Sequence, residues 1–155
     1  MSKPYTRSKS RSPRLRLEKL EDRTNPIAGA LDPTFGGDHK VITLIGLSTD
    51  RANALALQSD GKIVSAGNND DFALARYNAD GSLDTTFGGD GKVTTPFGSS
   101  DAVGQSVALQ ADAKIVVAGY SRTGGNKDFA VVRYNVDGSL DSSFDGDGKL
   151  TLDLG

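Results

Sequence analysis

A segment of 25 residues occurs twice in this chain and limits what the chain can fold into. Residues 71–95 read DFALARYNADGSLDTTFGGDGKVTT and residues 128–152 read DFAVVRYNVDGSLDSSFDGDGKLTL, with 17 of the 25 positions identical. Nearly identical segments adopt the same local structure. The sequence therefore predicts a tandem array of one supersecondary unit.

Two further phrases mark the borders of the repeat units. Versions of one opening occur as LDPTFGGDHKV at residue 31, LDTTFGGDGKV at 83 and LDSSFDGDGKL at 140. Another phrase recurs as ALALQSDGKIVSAG at 54–67 and SVALQADAKIVVAG at 106–119, with nine of fourteen positions identical. We therefore predict a first unit at 31–82, a second at 83–139 and the opening of a third at 140–155.

The acidic residues of the repeat region indicate an all-β fold. Residues 26–155 contain seventeen acidic residues, and all of them are Asp. Asp favours turns, because its short carboxylate accepts hydrogen bonds from nearby backbone amides, whereas Glu favours helices. We therefore expect strands joined by tight turns.

Each unit is predicted to contain four antiparallel strands. KIVVAG is a continuous run of apolar and β-branched residues, which is typical of a strand buried on both faces. In the second unit the strands are assigned to Lys92–Pro96, Val103–Leu109, Ile115–Tyr120 and Phe129–Tyr134. Phe72 and Phe129 occupy the same place in the two units, and both are expected in the core.

Short polar segments between the strands predict tight turns. Asp60-Gly61 is interpreted as part of a two-residue hairpin turn with both central residues at positive φ. The second unit has Asp112-Ala113 at this place, and Ala at positive φ costs about 1 kcal/mol. The second hairpin is therefore expected to be strained or to use another turn type.

Repeated four-stranded antiparallel units of about 50 residues are typical of β-propeller blades. The units resemble the delta-60 repeat in the segments DGKIV, DFALARYNADGSLDTTFG and GDGKV, and the resemblance covers residues 31–155. It implies propeller-like blades of bacterial surface or secreted proteins, with no established enzymatic activity. Propellers close with about four to eight blades, so this chain is expected to form an incomplete ring. GKLTLDLG at 148–155 is interpreted as the first strand of a third blade.

The first 30 residues differ from the repeats and are predicted to form a basic, flexible export or tail segment. Residues 1–25 carry eight Lys and Arg against three acids, a net charge of +5. A segment with so few large apolar residues buries too little surface to order itself. RLRLEKLEDRTNP at 14–26 resembles the planctomycete-type segment built around L-E-x-L-E-D-R. This resemblance implies a secreted or cell-surface protein, and a short amphipathic helix is the alternative interpretation.

Few residues are candidates for catalysis or metal binding. The chain has no Cys and one His, His39, which replaces a turn glycine of the other openings. A nucleophilic pair of Ser or Cys with His therefore has no plausible second member. Asp145 and Asp147 have the spacing of a calcium loop, but Lys149 stands where a third oxygen ligand is needed. Turn formation is the favoured interpretation, and no catalytic, cofactor-binding or metal-binding residue is assigned.

Arg76 and Arg133 occupy the same place in the fourth strand of each unit. An arginine at a repeated position can line a binding surface. The favoured interpretation is that each guanidinium bonds turn carbonyls or an Asp within its own blade.

These observations predict a non-enzymatic, exported β-repeat module that acts as a surface scaffold, adhesion or ligand-binding element. The alternative is a fragment of a propeller-type enzyme, a hydrolase or lyase acting on glycans. The expected partners are an unknown ligand, either glycan or protein, and further copies of the chain that associate through open blade faces. Nucleic acid is not expected, because the repeat region is acidic, and no apolar run reaches the roughly 18–20 residues that span a bilayer.

Overall fold

The computed structural model describes residues 30–46, 49–98, 101–123 and 125–153, and their regular structure is all β. Both sheets lie in one compact unit, Asp32–Gly155, and the other unit, Met1–Leu31, lies outside the described residues except for its last two. The predicted tail and export segment therefore falls outside them. Among the described residues no helix is long and apolar enough to cross a membrane.

Within the described ranges, eight strands form two separate sheets of four antiparallel strands each. Sheet 1 contains, in spatial order, β1 Arg51–Leu57, β2 Ile63–Asn68, β3 Phe72–Tyr77 and β4 Lys92–Thr95. Sheet 2 contains, in the same order, β5 Ala102–Leu109, β6 Ile115–Thr123, β7 Asn126–Tyr134 and β8 Lys149–Leu152. The prediction of an all-β fold built from open, four-stranded antiparallel blades is confirmed.

The strands are grouped differently from the prediction. The segment at Lys92, predicted to be the first strand of the second unit, instead pairs with β3 and completes sheet 1, with Phe72 opposite Thr95. The last segment likewise pairs with β7, so it is the fourth strand of sheet 2 and the prediction of a third blade's first strand is wrong. The cause is the loop before β4, which is held against β3 by hydrogen bonds from Arg76 N–H to Gly91 O (2.9 Å) and from Asp84 N–H to Arg76 O (2.9 Å).

The first hairpin of each sheet uses a three-residue loop. In sheet 1, Gly61 N–H donates to Gln58 O at 3.0 Å, and Gly61 alone among the loop residues has a positive φ, of 84°. The prediction of two central residues at positive φ is therefore wrong, and the geometry is that of a type I turn followed by a left-handed residue. In sheet 2, Ala113 N–H makes the same bond to Gln110 O at 2.9 Å with φ at 63°. Ala113 therefore occupies a glycine position and is strained.

The core lies between the two sheets. We call the face of a sheet that carries Phe72, or its equivalent Phe129, the forward face, and the opposite face the rear face. The forward face of sheet 1 packs against the rear face of sheet 2. The buried side chains of the forward face of sheet 1 are Val64, Ala66, Phe72 and Leu74. Those of the rear face of sheet 2 are Ile115, Val117, Ala130, Val132 and Tyr134. β3 is buried on both faces, whereas β6 is buried on its rear face and only partly buried on its forward face at Val116, Ala118 and Tyr120, so the prediction of burial on both faces is wrong for β6.

Phe129 does not lie in this core, contrary to the prediction. Phe72 is fully buried, as expected, but Phe129 is 63% exposed. Phe129 is on the forward face of sheet 2, and among the described residues no further sheet covers that face. Phe129 lies on the same face of its strand as Phe72, but the repeat alone does not determine whether a neighbouring sheet covers that face.

Candidate functional site

A cluster of charges joins the β1–β2 hairpin, β3 and the loop before β4. Arg76 Nε and Lys62 Nζ both donate to Asp84 Oδ2, at 2.7 and 2.8 Å, and the Arg76 side chain is only 4% exposed. Thr86 donates to the other carboxylate oxygen through its N–H at 3.1 Å and its hydroxyl at 2.7 Å. Burial by itself raises the pKa of Asp84, but hydrogen bonds from Lys62 and Thr86 and the charge of Arg76 together hold this pKa well below its usual range.

Sheet 2 repeats the cluster with equivalent residues. Arg133 Nε and Lys114 Nζ donate to Asp141 Oδ2 at 2.6 and 2.9 Å, and Ser143 takes the place of Thr86. The hydrogen bonds from Lys114 and Ser143 are the main reasons that the pKa of Asp141 lies well below its usual range. Both arginines therefore bond an Asp of their own blade, which was the favoured interpretation.

Arg76 also reaches out of its own blade. Its Nη1 donates to the carbonyl of Val136 in the second unit, while its guanidinium carbon lies 4.7 Å from the centre of the Phe87 ring. Arg133 stacks in the same way on Phe144 at 4.9 Å, but among the described residues no carbonyl accepts a hydrogen bond from its Nη1. Arg133 on the forward face of sheet 2 is therefore equivalent to Arg76, the residue whose hydrogen bond to Val136 links sheet 1 to sheet 2.

The chemistry of the two clusters suits them to stabilising the fold. A carboxylate with a strongly lowered pKa stays ionised at neutral pH, so it cannot donate a proton and is a weak proton acceptor. Both Asp84 and Asp141 are almost fully buried, and two cations occupy one oxygen of each. Their arrangement fixes the loop before the last strand of each sheet.

The other candidate residues remain separate from one another. His39 has a φ of 72° where Gly91 and Gly148 have 87° and 88°, as expected of a residue that replaces a turn glycine. Asp147 accepts a hydrogen bond at 2.8 Å from the N–H of Lys149, the residue two positions further on. Within the described ranges no group of three or more His, Cys, Asp or Glu side chains is close enough to hold a metal ion.

The forward face of sheet 2 is an open apolar surface. Phe129 lies opposite Leu152 in the strand register, and Val131 lies opposite Leu150. Phe129, Leu152 and Leu150 are 63%, 52% and 37% exposed. Their equivalents in sheet 1, Phe72, Thr95 and Val93, pack against sheet 2. We call this exposed set, together with Arg133, the open forward face.

Among the described residues, the rear face of sheet 1 is covered by a segment that begins in the first opening of the chain. Residues 32–46, which we call the strap, lie across this face without forming a strand. A cavity of about 240 Å³ remains between the strap and the sheet. Its lining includes Thr43, Asp50, Ser65, Gly67, Ala75 and Tyr77. On the rear face of sheet 2 the equivalent layer is supplied by sheet 1, which contributes Phe72 and Leu74 to the core.

The sequence did not reveal two of these features. A tyrosine hydroxyl of each sheet bonds a threonine of the preceding opening: Tyr77 donates to Thr43 at 2.9 Å, and Tyr134 and Thr95 are 2.7 Å apart. The repeated Tyr-Asn pair at the end of each third strand and the repeated Thr after GKV or HKV were visible signals. The strap was interpreted as the start of a unit, so its contact with the sheet behind it was missed.

Comparison with known proteins places the repeats in a family context. Residues 58–87 and 110–144 match the family model of the Domain of unknown function (DUF5122) beta-propeller. Each matched segment runs from the first hairpin of a sheet to the Phe that stacks on its arginine, so each contains one complete charge cluster. No curated protein and no solved structure matches the chain. The delta-60 name and the export segment therefore stay predictions, whereas residues 32–153 contain a propeller-like repeat domain with two blades among the described residues.

Proposed function

We propose that this chain is a non-enzymatic β-repeat module that acts as a scaffold by stacking its blades against further copies of itself. The observation that carries the proposal is the pair of complementary faces. The open forward face of sheet 2 repeats the residues with which sheet 1 holds sheet 2, and the rear face of sheet 1 repeats the positions that receive them. Contacts of this head-to-tail kind continue until a ring closes or a filament grows.

The non-enzymatic part of the proposal is supported by the Asp residues of the turns. Asp32, Asp60, Asp80, Asp90, Asp112 and Asp137 each accept a hydrogen bond from the backbone N–H two residues later. These carboxylates stabilise turns, as the exclusive use of Asp in the repeat region predicted. A parallel assay of glycan binding and glycan cleavage distinguishes a binding scaffold, which retains glycans unchanged, from the alternative glycan hydrolase or lyase.

Export to the cell surface belongs to the same proposal and is supported by the resemblance of residues 14–26 to an export segment. Outside the cell, repeated blades would present a large surface to a glycan or a protein. Detection of the chain in the surface or culture fraction supports export, and its retention in the cell contradicts it.

Light scattering on a size-exclusion column over a range of concentrations tests the stacking directly. The wild-type chain is expected to gain mass as its concentration rises, because each added copy covers one open forward face. Phe129→Asp places a charge at the centre of that face and is expected to keep the chain monomeric. Ile42→Asp is the control, because Ile42 is 91% exposed on the outer side of the strap. If the wild-type chain stays monomeric at every concentration, as Phe129→Asp is expected to do, then the intact chain does not stack.

A further inference from the structure

The strap makes the same contacts with sheet 1 that sheet 1 and its last loop make with sheet 2. Gly36 N–H donates to Asp80 O at 2.9 Å, and Gly88 N–H donates to Asp137 O at 2.9 Å. Lys92 Nζ lies 3.4 Å from Leu44 O, and Lys149 Nζ lies 3.4 Å from Pro96 O. Together with the two Tyr–Thr hydrogen bonds, these pairs show that the strap holds the place of a preceding blade's last loop and strand.

Side-chain packing at the neighbouring turn repeats as well. A Cβ at Gly81 would approach Val41 Cγ2 at 3.0 Å and the Phe35 ring at 3.2 Å. A Cβ at Gly138 would approach the Phe87 ring at 2.9 Å and Val93 Cγ2 at 3.0 Å. Each turn therefore lies directly on a Phe and a Val of the preceding opening, and Val41 is the strap residue that corresponds to Val93.

From this equivalence we propose that the strap competes with a second copy of the chain for the rear face of sheet 1. This inference rests on the proposed stacking. If sheet 2 of a second copy packed on sheet 1 as sheet 1 packs on sheet 2, residues 140–152 of that copy would take the place of the strap. The strap must therefore leave before the second copy can bind, and it lowers the affinity between copies.

One residue gives the strap an advantage in this competition. Tyr77 donates its hydroxyl hydrogen to Thr43 Oγ1. The third opening has Leu152 at the position equivalent to Thr43, so a bound second copy would cover the Tyr77 hydroxyl without accepting a hydrogen bond from it. A covered hydroxyl that loses its hydrogen-bond partner weakens binding, by about tenfold for one such bond. The strap is therefore the better ligand for this position.

The remaining strap contacts are few enough for it to be displaced. Its backbone makes no strand ladder with sheet 1, and its Ile42 and Leu44 side chains are 91% and 75% exposed. Its last residues are held by Asp50, whose carboxylate accepts from Ile45 N–H at 3.0 Å and Gly46 N–H at 3.3 Å. The cavity beneath it shows that it fills this face incompletely.

The test weakens the strap in the full chain and measures association by sedimentation. Val41→Asp places a charge against Gly81 and weakens the packing of the strap, so it is expected to tighten association about tenfold. Ile42→Asp changes the adjacent, outward-facing residue in the same way and is expected to leave association unchanged. Adding Phe129→Asp to Val41→Asp should abolish the gain, because specific stacking needs the open forward face.

A second variant acts from the other partner and leaves the strap intact. Leu152→Thr restores the hydroxyl that Tyr77 needs and is expected to tighten association about tenfold, in line with one recovered hydrogen bond. Leu152 is 52% exposed, so the fold does not depend on it. This variant keeps the test decisive if Val41→Asp does not fold.

The outcomes separate this inference from the proposed stacking. If wild type associates, Phe129→Asp does not, and Val41→Asp and Leu152→Thr associate no more tightly than wild type, stacking stands and the competing role of the strap is overturned. If wild type is monomeric but Val41→Asp associates through Phe129, the strap blocks stacking as proposed. If wild type, Val41→Asp and Leu152→Thr all stay monomeric, both proposals are wrong.

Discussion

The two sheets contain nearly the same residues but expose them very differently. Phe72 is fully buried and Phe129 is 63% exposed, although both occupy the same place in the third strand of their sheet. Arg76 is 4% exposed and its equivalent Arg133 is 21% exposed. Sheet 2 covers the forward face of sheet 1, and among the described residues no third sheet covers the forward face of sheet 2. Burial in a repeat protein is therefore a property of the neighbouring unit as much as of the residue itself.

The largest difference between the sheets is expected from truncating the equivalent phenylalanines. Phe72→Ala removes a fully buried ring that lies 4.9 Å from the Phe97 ring, and it should lower the free energy of unfolding by about 3–5 kcal/mol. Phe129→Ala removes a mostly exposed ring and should cost less than about 1 kcal/mol. Urea unfolding of both variants below the concentration at which copies associate measures the difference. Equal losses would show that sheet 2 is covered in solution.

Removing the charge of the buried carboxylates should give the next largest difference. Asp84→Asn leaves the guanidinium of Arg76 and the ammonium of Lys62 without their carboxylate, at a cost of about 3 kcal/mol. Asp141→Asn should cost less, because Arg133 is more exposed than Arg76 and water can solvate it. The same unfolding measurement tests this pair. A larger loss for Asp141→Asn would contradict the view that the neighbouring sheet sets the cost.

Acid should reduce the stability of both sheets through these same groups. The pKa values of Asp84 and Asp141 are lowered in the folded chain, so the unfolded chain binds their protons more tightly. Their contribution is complete above the unfolded pKa of about 4 and is lost as pH falls through the lower folded values. Unfolding free energies measured from pH 7 downwards should therefore decline below about pH 4. The double variant Asp84→Asn with Asp141→Asn should show a shallower decline. An unchanged decline would show that other carboxylates cause the loss of stability in acid.

The sequence predicted the local structure well because the repeat encodes it locally. The Asp-Gly turns, the apolar run of β6 and the arginine–aspartate pairs all depend on residues within one unit. The grouping of strands was wrong because the repeat phrase begins in a loop, whereas the sheet ends with the strand after that loop. The exposure of Phe129 and the role of the strap could not be predicted, because both depend on which unit lies opposite.

The smallest effect concerns the first hairpin, where the two sheets differ by one residue. Gly61 and Ala113 occupy the same left-handed position, with φ of 84° and 63°, and close the same turn. A Cβ at Gly61 would have only one neighbour, Ala79 Cβ at 3.6 Å, so the space around the turn tolerates a methyl group. Backbone strain alone then sets the difference. Ala113→Gly should stabilise the chain by up to about 1 kcal/mol and Gly61→Ala should destabilise it by a similar amount.

Thermal or urea unfolding of these two variants and of the double variant separates strain from context. The hairpins belong to different sheets, so the two changes should be additive, and the double variant should match wild type within about 0.5 kcal/mol. The greater freedom of glycine in the unfolded chain opposes the gain from Ala113→Gly and offsets the cost of Gly61→Ala to the same extent, so both changes are expected to be smaller than backbone strain alone would give. A loss of stability in Ala113→Gly would show that this freedom outweighs the relief of strain, and the two turns would then differ in more than the residue at their left-handed position.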